Sequence, residues 1–116
     1  MPELSSKDFS CVASILESIE KIQAYAAPFS DADALYTESL SFDAVLMNFI
    51  VIGEMTSKLS ETFIGDTSEL IDWYKIKGFR NILAHNYFGV DAEEVWQIVQ
   101  NDLPELKLKL KKITGS

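Results

Sequence analysis

The stretch FRNILAHNYF, residues 79–88, dominates this sequence, and the rest of the chain is interpreted as its scaffold. It holds Arg80 and His85, the only arginine and the only histidine of the chain, with Tyr87 two residues further on. Arginine carries a permanent charge on a planar fork that fits phosphate oxygens, whereas histidine exchanges protons near neutral pH. This pair is therefore typical of phosphodiester chemistry.

The spacing of these side chains restricts how they can meet. Each residue of an α-helix turns by about 100°, so Arg80 and His85 lie about 140° apart around a continuous helix. Arg80 and Tyr87 share one face of such a helix, while Asn81 and His85 share another. Arg80 and His85 can therefore act on one phosphate only if the helix breaks near His85 or if a second copy of the chain completes the site. We expect both.

The same residues resemble a known family. The string RNILAHNY, residues 80–87, contains an arginine, a polar residue, three further residues, a histidine, any residue and a tyrosine. This pattern resembles the HEPN superfamily, specifically its HepT-like toxin branch. The flanking sequence follows the layout of that family over about residues 7 to 113: Gly53–Glu54, Trp73, Gly78 and the segments 88–91, 95–99 and 102–106.

The resemblance implies a HEPN-like helical fold that forms a two-fold homodimer, with Arg80 and His85 as catalytic residues in the cleft between subunits. It also implies that Glu54 lies near this cleft, although a charge at such a position is usually solvated surface. In HepT-like toxins, the tyrosine equivalent to Tyr87 receives AMP from a partner, an MntA-like minimal nucleotidyltransferase antitoxin. AMP on Tyr87 would add negative charge beside Arg80 and compete with RNA there.

The chemistry that fits these residues is cleavage of RNA without a metal or other cofactor. The sequence has no glycine-rich phosphate loop and no cysteine or histidine cluster for zinc. In the simplest reaction a ribose 2′-hydroxyl attacks the neighbouring phosphate, His85 transfers the proton and Arg80 stabilises the charge on the phosphate. Asn81 either orients His85 or the phosphate, or is a plain surface amide. Tyr87 either stacks or hydrogen bonds in the site, or is a half-buried aromatic residue.

Apolar residues recur every three or four positions along most of the chain, and no strand or hairpin pattern occurs. We expect one all-α domain over residues 1–116, an up-down bundle of four to five helices. Ser5 or Ser6 caps the first helix, a long helix runs from about Ser41 to Phe63, residues 65–68 form a loop, and Asp102 caps the last helix. Trp73 is interpreted as core rather than as a base-stacking platform.

The long helix has a second apolar side, formed by Met47, Ile50, Val51 and Met55. A helix that is apolar on two sides is buried on two sides. In a chain of 116 residues, the second partner of this helix is expected to be another protomer.

Charge and composition limit the classes of partner. The net charge of −8 argues against a protein that coats nucleic acid nonspecifically. Residues 73–90 nevertheless contain Lys75, Lys77 and Arg80 and no acid, a positive window that fits a short piece of RNA or an acidic partner. Cys11 is the only cysteine, and no apolar run approaches the roughly 18 residues of a membrane span. We expect a cytoplasmic protein without a membrane partner.

Three functions from different classes remain open from the sequence. The first is a metal-independent endoribonuclease that acts as the toxin of a toxin-antitoxin pair. The alternative is a noncatalytic helical partner that binds a nucleotide or substrate for a nucleotidyltransferase, with Arg80 only binding phosphate. The third is a plain dimeric helical protein.

Overall fold

The structure is a computed structural model that describes residues 4–85 and 91–115, with the backbone alone for residues 81–85. Throughout these ranges the regular structure is helical, with no strand, and the predicted all-α class is confirmed. The elements are α1 (Ser6–Ala26), α2 (Ala32–Thr37), α3 (Ser39–Ser57), α4 (Glu61–Thr67), α5 (Trp73–His85), α6 (Ala92–Gln97), a π-helical turn (Ile98–Asp102) and α7 (Leu103–Thr114).

Helix α3 is the centre of the bundle and packs most extensively against α1 and α5. The π-helical turn and α7 pack against α1, and α2 packs against α3 and α6. Among the residues whose side chains are described, the apolar stripes predicted from the three- and four-residue periodicity face this core. The fully buried side chains include Val12, Ile15, Ile19, Ile22, Val45, Phe49, Ile52, Phe63, Leu103 and Leu110.

The N-terminus of α1 is capped as the sequence predicts. Ser5 is extended, and its hydroxyl oxygen accepts a hydrogen bond of 3.0 Å from the backbone N–H of Asp8. The helix ends at Ala26, two residues before Pro28, whose ring does not fit a helix interior. Cys11 lies in this helix and is buried.

The prediction of one continuous helix from Ser41 to Phe63 is wrong, because α3 ends at Ser57 and a separate helix, α4, begins at Glu61. Ser60 is extended and caps α4 by accepting a hydrogen bond of 3.1 Å from Phe63 N–H. The buried Asp8 carboxylate holds Ser60 in place, accepting from its N–H at 2.8 Å and from its hydroxyl at 2.7 Å. The predicted loop at residues 65–68 is also wrong, since α4 continues to Thr67.

Asp102 does not cap the last helix, contrary to the prediction. Its backbone is helical, with φ −76° and ψ −41°, and its side chain accepts no capping hydrogen bond. Instead, a π-helical turn joins α6 to α7, with Leu103 N–H donating to the carbonyl of Ile98, five residues earlier. The carboxylate of Asp102 forms a salt bridge with Lys75 on α5, with 3.3 Å between Oδ2 and Nζ.

Among the described residues, α3 is long and apolar enough to cross a membrane by length and mean hydropathy, although polar residues such as Asp43 and Glu54 interrupt its apolar sequence. Its buried residues Phe42, Phe49 and Ile52 face the protein core. Of the apolar window in α3, 39% is buried, and α3 packs most extensively against α1 and α5.

Candidate active site

Arg80 lies on α5 at the contact with α3, where its side chain meets Glu54. The guanidinium Nε donates to the Glu54 Oε1 at 2.6 Å. The two side chains are 47% and 39% exposed, respectively, so the pair is half-buried and in contact with solvent. Glu54 was predicted only from the family resemblance, and the structure brings it directly to the arginine. Charge-assisted contacts of this length fix the orientation of a guanidinium.

Gly53 explains why α3 and α5 approach so closely at this point. A Cβ built on Gly53 would overlap the Cβ of Arg80 and would lie 3.4 Å from the Arg80 Cα. Any larger residue at this position would push the two helices apart. Because Gly53 has no side chain, Arg80 packs directly against α3 at this point. Glu54, the next residue, binds the Arg80 guanidinium.

The other predicted site residues are positioned only in part. Asn81 and His85 belong to α5, which is unbroken from Trp73 to His85. Their side chains, and Tyr87 as a whole, lie outside the described residues. A continuous helix keeps the Arg80 and His85 positions about 140° apart around the axis. The completion of the site by a second copy of the chain therefore stays a prediction, as does a break of the helix near His85.

Two neighbouring aromatic residues at the start of α5 have opposite environments. Trp73 is 4% exposed, and its indole N–H donates to the Thr67 hydroxyl at 2.8 Å, which confirms that it belongs to the core. Tyr74 is 89% exposed, the most exposed of the large hydrophobic side chains in the described ranges. Tyr74 was not among the site residues predicted from the sequence. The feature that could have indicated it is its position outside the apolar stripe of α5, the helix that carries Arg80.

The lysines of the predicted positive window also differ from each other. Lys75 pairs with Asp102, and both line a depression between α5 and α7 with a volume of about 110 Å³. Lys109 lines the same depression and pairs with Glu105 at 2.8 Å. Lys77, by contrast, is exposed and forms no salt bridge with any residue in the described parts of the chain. Within the described part of this window, Lys75 and Arg80 are therefore each paired with a carboxylate, and Lys77 is the cation without an acidic partner.

Comparison with known proteins agrees with the resemblance carried by residues 80–87. A family model described as "HepT-like: Ribonuclease HepT-like" matches residues 15–113. A protein of Thermococcus cleftensis named "Probable ribonuclease HepT" is 33% identical over 109 residues, which are 94% of this chain and 96% of that protein.

A second relative, from Methanocaldococcus jannaschii, is named as a gamma-glutamylcyclotransferase and candidate RNase. It is 36% identical over 99 residues, which are 85% of this chain but only 44% of that relative, so the similarity covers less than half of its length. No solved structure gives a significant match. The family model covers the helices that carry Glu54, Arg80 and His85, and the chain therefore belongs to the HepT-like ribonuclease family.

Proposed function

We propose that this protein is a metal-independent endoribonuclease and the toxin of a toxin-antitoxin pair. The observation that carries the proposal is the Arg80–Glu54 pair. Glu54 on α3 orients the half-exposed guanidinium of Arg80, and Arg80 lies on α5, the helix that also contains His85. A phosphate ligand needs an oriented, accessible guanidinium, and a proton-transfer step needs a group such as imidazole that titrates near neutral pH. The family assignment supports RNA as the substrate.

In the proposed reaction, the ribose 2′-oxygen forms a bond to phosphorus while the bond from phosphorus to the 5′-oxygen breaks. One imidazole accepts the proton of the 2′-hydroxyl, and a second, protonated imidazole donates a proton to the departing 5′-oxygen. The products are a 2′,3′-cyclic phosphate and a free 5′-hydroxyl. The guanidinium of Arg80 binds the phosphate oxygens and stabilises the charge that accumulates on them.

Glu54 acts in this proposal as a positioning residue for Arg80. Its carboxylate binds Nε, on one side of the guanidinium. The Nη1 and Nη2 groups form a second edge, which fits two oxygens of a phosphate. Glu54 therefore fixes the plane of the fork without occupying the edge that would bind RNA. Asn81 is proposed to support His85 or the phosphate in the same site.

Two imidazoles require two subunits, because each chain has a single histidine. The surface of α3 supports a homodimer beside the site. Leu40, Met47 and Glu54 follow one another at intervals of seven residues, so they lie nearly in line along the helix. Leu40 is 78% exposed and Met47 is 60% exposed. A second copy seated on this apolar line would reach the Glu54–Arg80 pair at its end.

The toxin role extends the proposal to a second partner, an MntA-like minimal nucleotidyltransferase that transfers AMP to Tyr87. Tyr87 follows Arg80 by seven residues in the sequence. An added AMP group would bring a negative charge that competes with RNA for the guanidinium. The modification would thus inhibit the toxin in the cytoplasm, where RNA, ATP and the antitoxin are available together.

The test is cleavage of a defined RNA by the purified protein in the presence of EDTA. We expect cleavage that leaves 2′,3′-cyclic phosphate ends, and we expect His85→Ala to reduce the rate by about 10²- to 10⁴-fold. Analytical ultracentrifugation of both proteins shows whether the variant still forms the dimer. Cleavage at an unchanged rate by a dimeric His85→Ala protein would refute the assignment of His85.

The alternative is a noncatalytic partner that presents nucleotide or substrate to the nucleotidyltransferase. The overall charge of −8 favours this alternative, because it opposes the binding of long nucleic acids. Incubation with the transferase and ATP, followed by mass spectrometry, distinguishes the two. A toxin gains AMP on Tyr87 and loses cleavage activity, whereas Tyr87→Phe remains unmodified and active in the presence of the transferase. A protein that never cleaves RNA supports the alternative.

A further inference from the structure

Tyr74 is a large apolar side chain with no evident structural role in the described protein. It is 89% exposed, whereas Trp73 and Ile76 on the same helix are 4% and 6% exposed and belong to the core. Exposing an aromatic ring of this size to water is unfavourable compared with burying it. An exposed ring on the helix that carries Arg80 is available to a ligand that would cover it.

The helical register connects Tyr74 to Arg80 through Lys77. The three residues are spaced by three positions, and residues with this spacing are neighbours on a helix surface. Each step advances about 4.5 Å along the axis and turns about 60° around it, so Lys77 lies between the other two. Tyr74, Lys77 and Arg80 thus form a continuous row, termed here the α5 row, that leads across the exposed side of α5 to the Glu54–Arg80 pair.

The position of His85 lies on the same side of the helix as one end of this row. Eleven residues separate Tyr74 and His85, about three full turns, so the two positions differ by only about 20° around the axis. The distance between them along the axis is about 16 Å. Along the axis, Tyr74 and Lys77 precede Arg80 and His85 follows it, so a single strand bound along the row would pass Arg80 before it reaches the level of His85.

We propose that the α5 row is a binding subsite for single-stranded RNA, in which a base stacks on the Tyr74 ring and a backbone phosphate pairs with Lys77. This inference relies on the proposed function for the identity of the ligand. Stacking on an exposed aromatic ring together with a nearby cation is how proteins bind single strands without reading their sequence. The subsite holds RNA next to the scissile phosphate and adds affinity that does not depend on the chemical step.

The charges around the row favour RNA over an acidic protein as the occupant. Lys77 has no salt-bridge partner in the described ranges. The nearest acidic residue before it in the sequence is Asp72, which precedes α5 and accepts a hydrogen bond of 3.1 Å from the backbone N–H of Lys75. The acidic side chains of a protein partner would pair with Lys77 and Arg80 alone and would leave Tyr74 without a matching group. RNA provides both a flat base for the ring and a phosphate for the cation.

The experiment measures the binding of a fluorescein-labelled single-stranded RNA by anisotropy, with His85→Ala as the parent so that the RNA stays intact. Adding Tyr74→Ala should weaken binding by about 5- to 100-fold, as expected for the loss of one stacked base. Adding Tyr74→Phe should leave affinity within about twofold, because the ring is retained. Adding Lys77→Gln should reduce the slope of log affinity against log salt by about one.

Tyr25→Ala in the same parent is the matched control, because Tyr25 is an exposed tyrosine (37%) on α1. It should leave RNA affinity unchanged. Sedimentation of each variant tests whether Tyr74 instead contacts a second subunit. Weakened RNA binding that accompanies dissociation of the dimer would overturn the proposal, as would equal affinity of the parent and Tyr74→Ala.

The outcomes separate this inference from the proposed function. If the wild-type protein cleaves RNA and Tyr74→Ala has no effect on binding, the subsite fails while the ribonuclease stands. If the parent binds RNA through Tyr74 but the wild-type protein does not cleave it, the subsite stands while the catalytic proposal fails. If the parent binds no RNA, both fail.

Discussion

Asp8 and Glu54 each connect two helices of this protein, and their surroundings are opposite. Asp8 is 3% exposed and accepts two hydrogen bonds from Ser60, which lies 52 residues away in the chain. Glu54 is 39% exposed and binds Arg80 on the neighbouring helix. The carboxylate of Asp8 is buried, while that of Glu54 is partly exposed to solvent.

This difference separates a contact that holds the fold together from one that is proposed to bind a ligand. A buried carboxylate without its hydrogen bonds is strongly unfavourable, so Asp8 and Ser60 must stay together in the folded state. A half-exposed ion pair contributes little to stability, and the Arg80 side chain, which is 47% exposed, stays accessible to an incoming phosphate. We therefore expect substitutions at the first contact to change mainly stability, and substitutions at the second to change mainly activity.

Among substitutions at these two contacts, Arg80→Ala has the largest expected effect, and that effect is on activity. Loss of the guanidinium should lower the rate of RNA cleavage by about 10²- to 10³-fold, the usual effect of removing one donor to a charged transition state. The free energy of unfolding should change by less than about 1 kcal/mol, because the pair with Glu54 is half-exposed. Single-turnover cleavage and urea denaturation measure the two quantities.

Lys21→Ala is the control for Arg80→Ala, since Lys21 is an exposed cation paired with Glu17 on α1. It should alter neither quantity measurably. A large loss of stability in Arg80→Ala would show that the two contacts do not differ in the way described.

Asp8→Ala should have the largest effect on stability. Both hydrogen bonds from Ser60 lose their charged acceptor, and the N-terminus of α4 loses its tether to α1. The free energy of unfolding should fall by about 3 kcal/mol. Cleavage by the fraction that remains folded should be unchanged, which combined denaturation and activity measurements can establish.

Gly53→Ala tests the contact on which Arg80 is seated. The added Cβ overlaps the Cβ of Arg80, so the helices must separate, and the free energy of unfolding should fall by about 2 kcal/mol. Activity should fall as well, because Arg80 moves with the helix. Circular dichroism melts and cleavage rates report the two effects.

Gly65→Ala is the matched control, since a Cβ at Gly65 meets nothing within 4 Å and Gly65 also lies inside a helix. That substitution should stabilise the protein by about 0.5–1 kcal/mol. Similar melting temperatures for the two variants would contradict the proposed close contact.

Glu54→Gln should have a moderate effect that appears in kcat rather than in KM. The amide oxygen still accepts from Nε, but the contact loses its charge and holds the guanidinium less firmly. We expect kcat to fall by about tenfold, with Glu54→Ala lower still. Glu20→Gln, which alters an exposed salt bridge with Lys107, should leave both constants unchanged. Faster cleavage by Glu54→Gln would show that the carboxylate opposes RNA instead of positioning Arg80.

The smallest expected effect is the dependence of stability on pH at Asp8. Burial raises the pKa of this carboxyl, but the hydrogen bonds from Ser60 and the cap at Ser5, with the charge of Lys7, outweigh burial and hold the pKa below its ordinary value of 3.8. Stability from the ionised group is thus present above the unfolded pKa and is lost as pH falls through the lower folded pKa. The stability difference between wild type and Asp8→Asn should narrow below about pH 4, as chemical denaturation at several pH values can measure.

The fold could be predicted from the sequence wherever the pattern of apolar residues was local. The start of α1 at Ser5 and the cores of α1, α3 and α7 follow from caps and three- or four-residue spacing. The break before Ser60 could not be predicted in this way, because the periodicity continues across it. Its cause is the contact with Asp8, which is distant in the sequence.

The candidate site shows the same limit. Arg80 and His85 were selected from their chemistry, and Glu54 was selected only through the family resemblance, because a lone acid on a helix gives no sign of its partner. The exposure of Tyr74 depends on which side of α5 meets α3. The orientation of α5 depends on tertiary packing, because it is set by the contact between Gly53 and Arg80, which are distant in the sequence.

The π-helical turn at Ile98–Asp102 has a consequence for the C-terminal part of the chain. A π turn holds one residue more than the α-helical turn it replaces, so it shifts the phase of every later residue by about 100°. Leu103, Leu106 and Leu110 face the core only with this shift. Deleting a single residue from the turn would present α7 with its lysines inward, so the length of this segment is as constrained as the identity of its apolar residues.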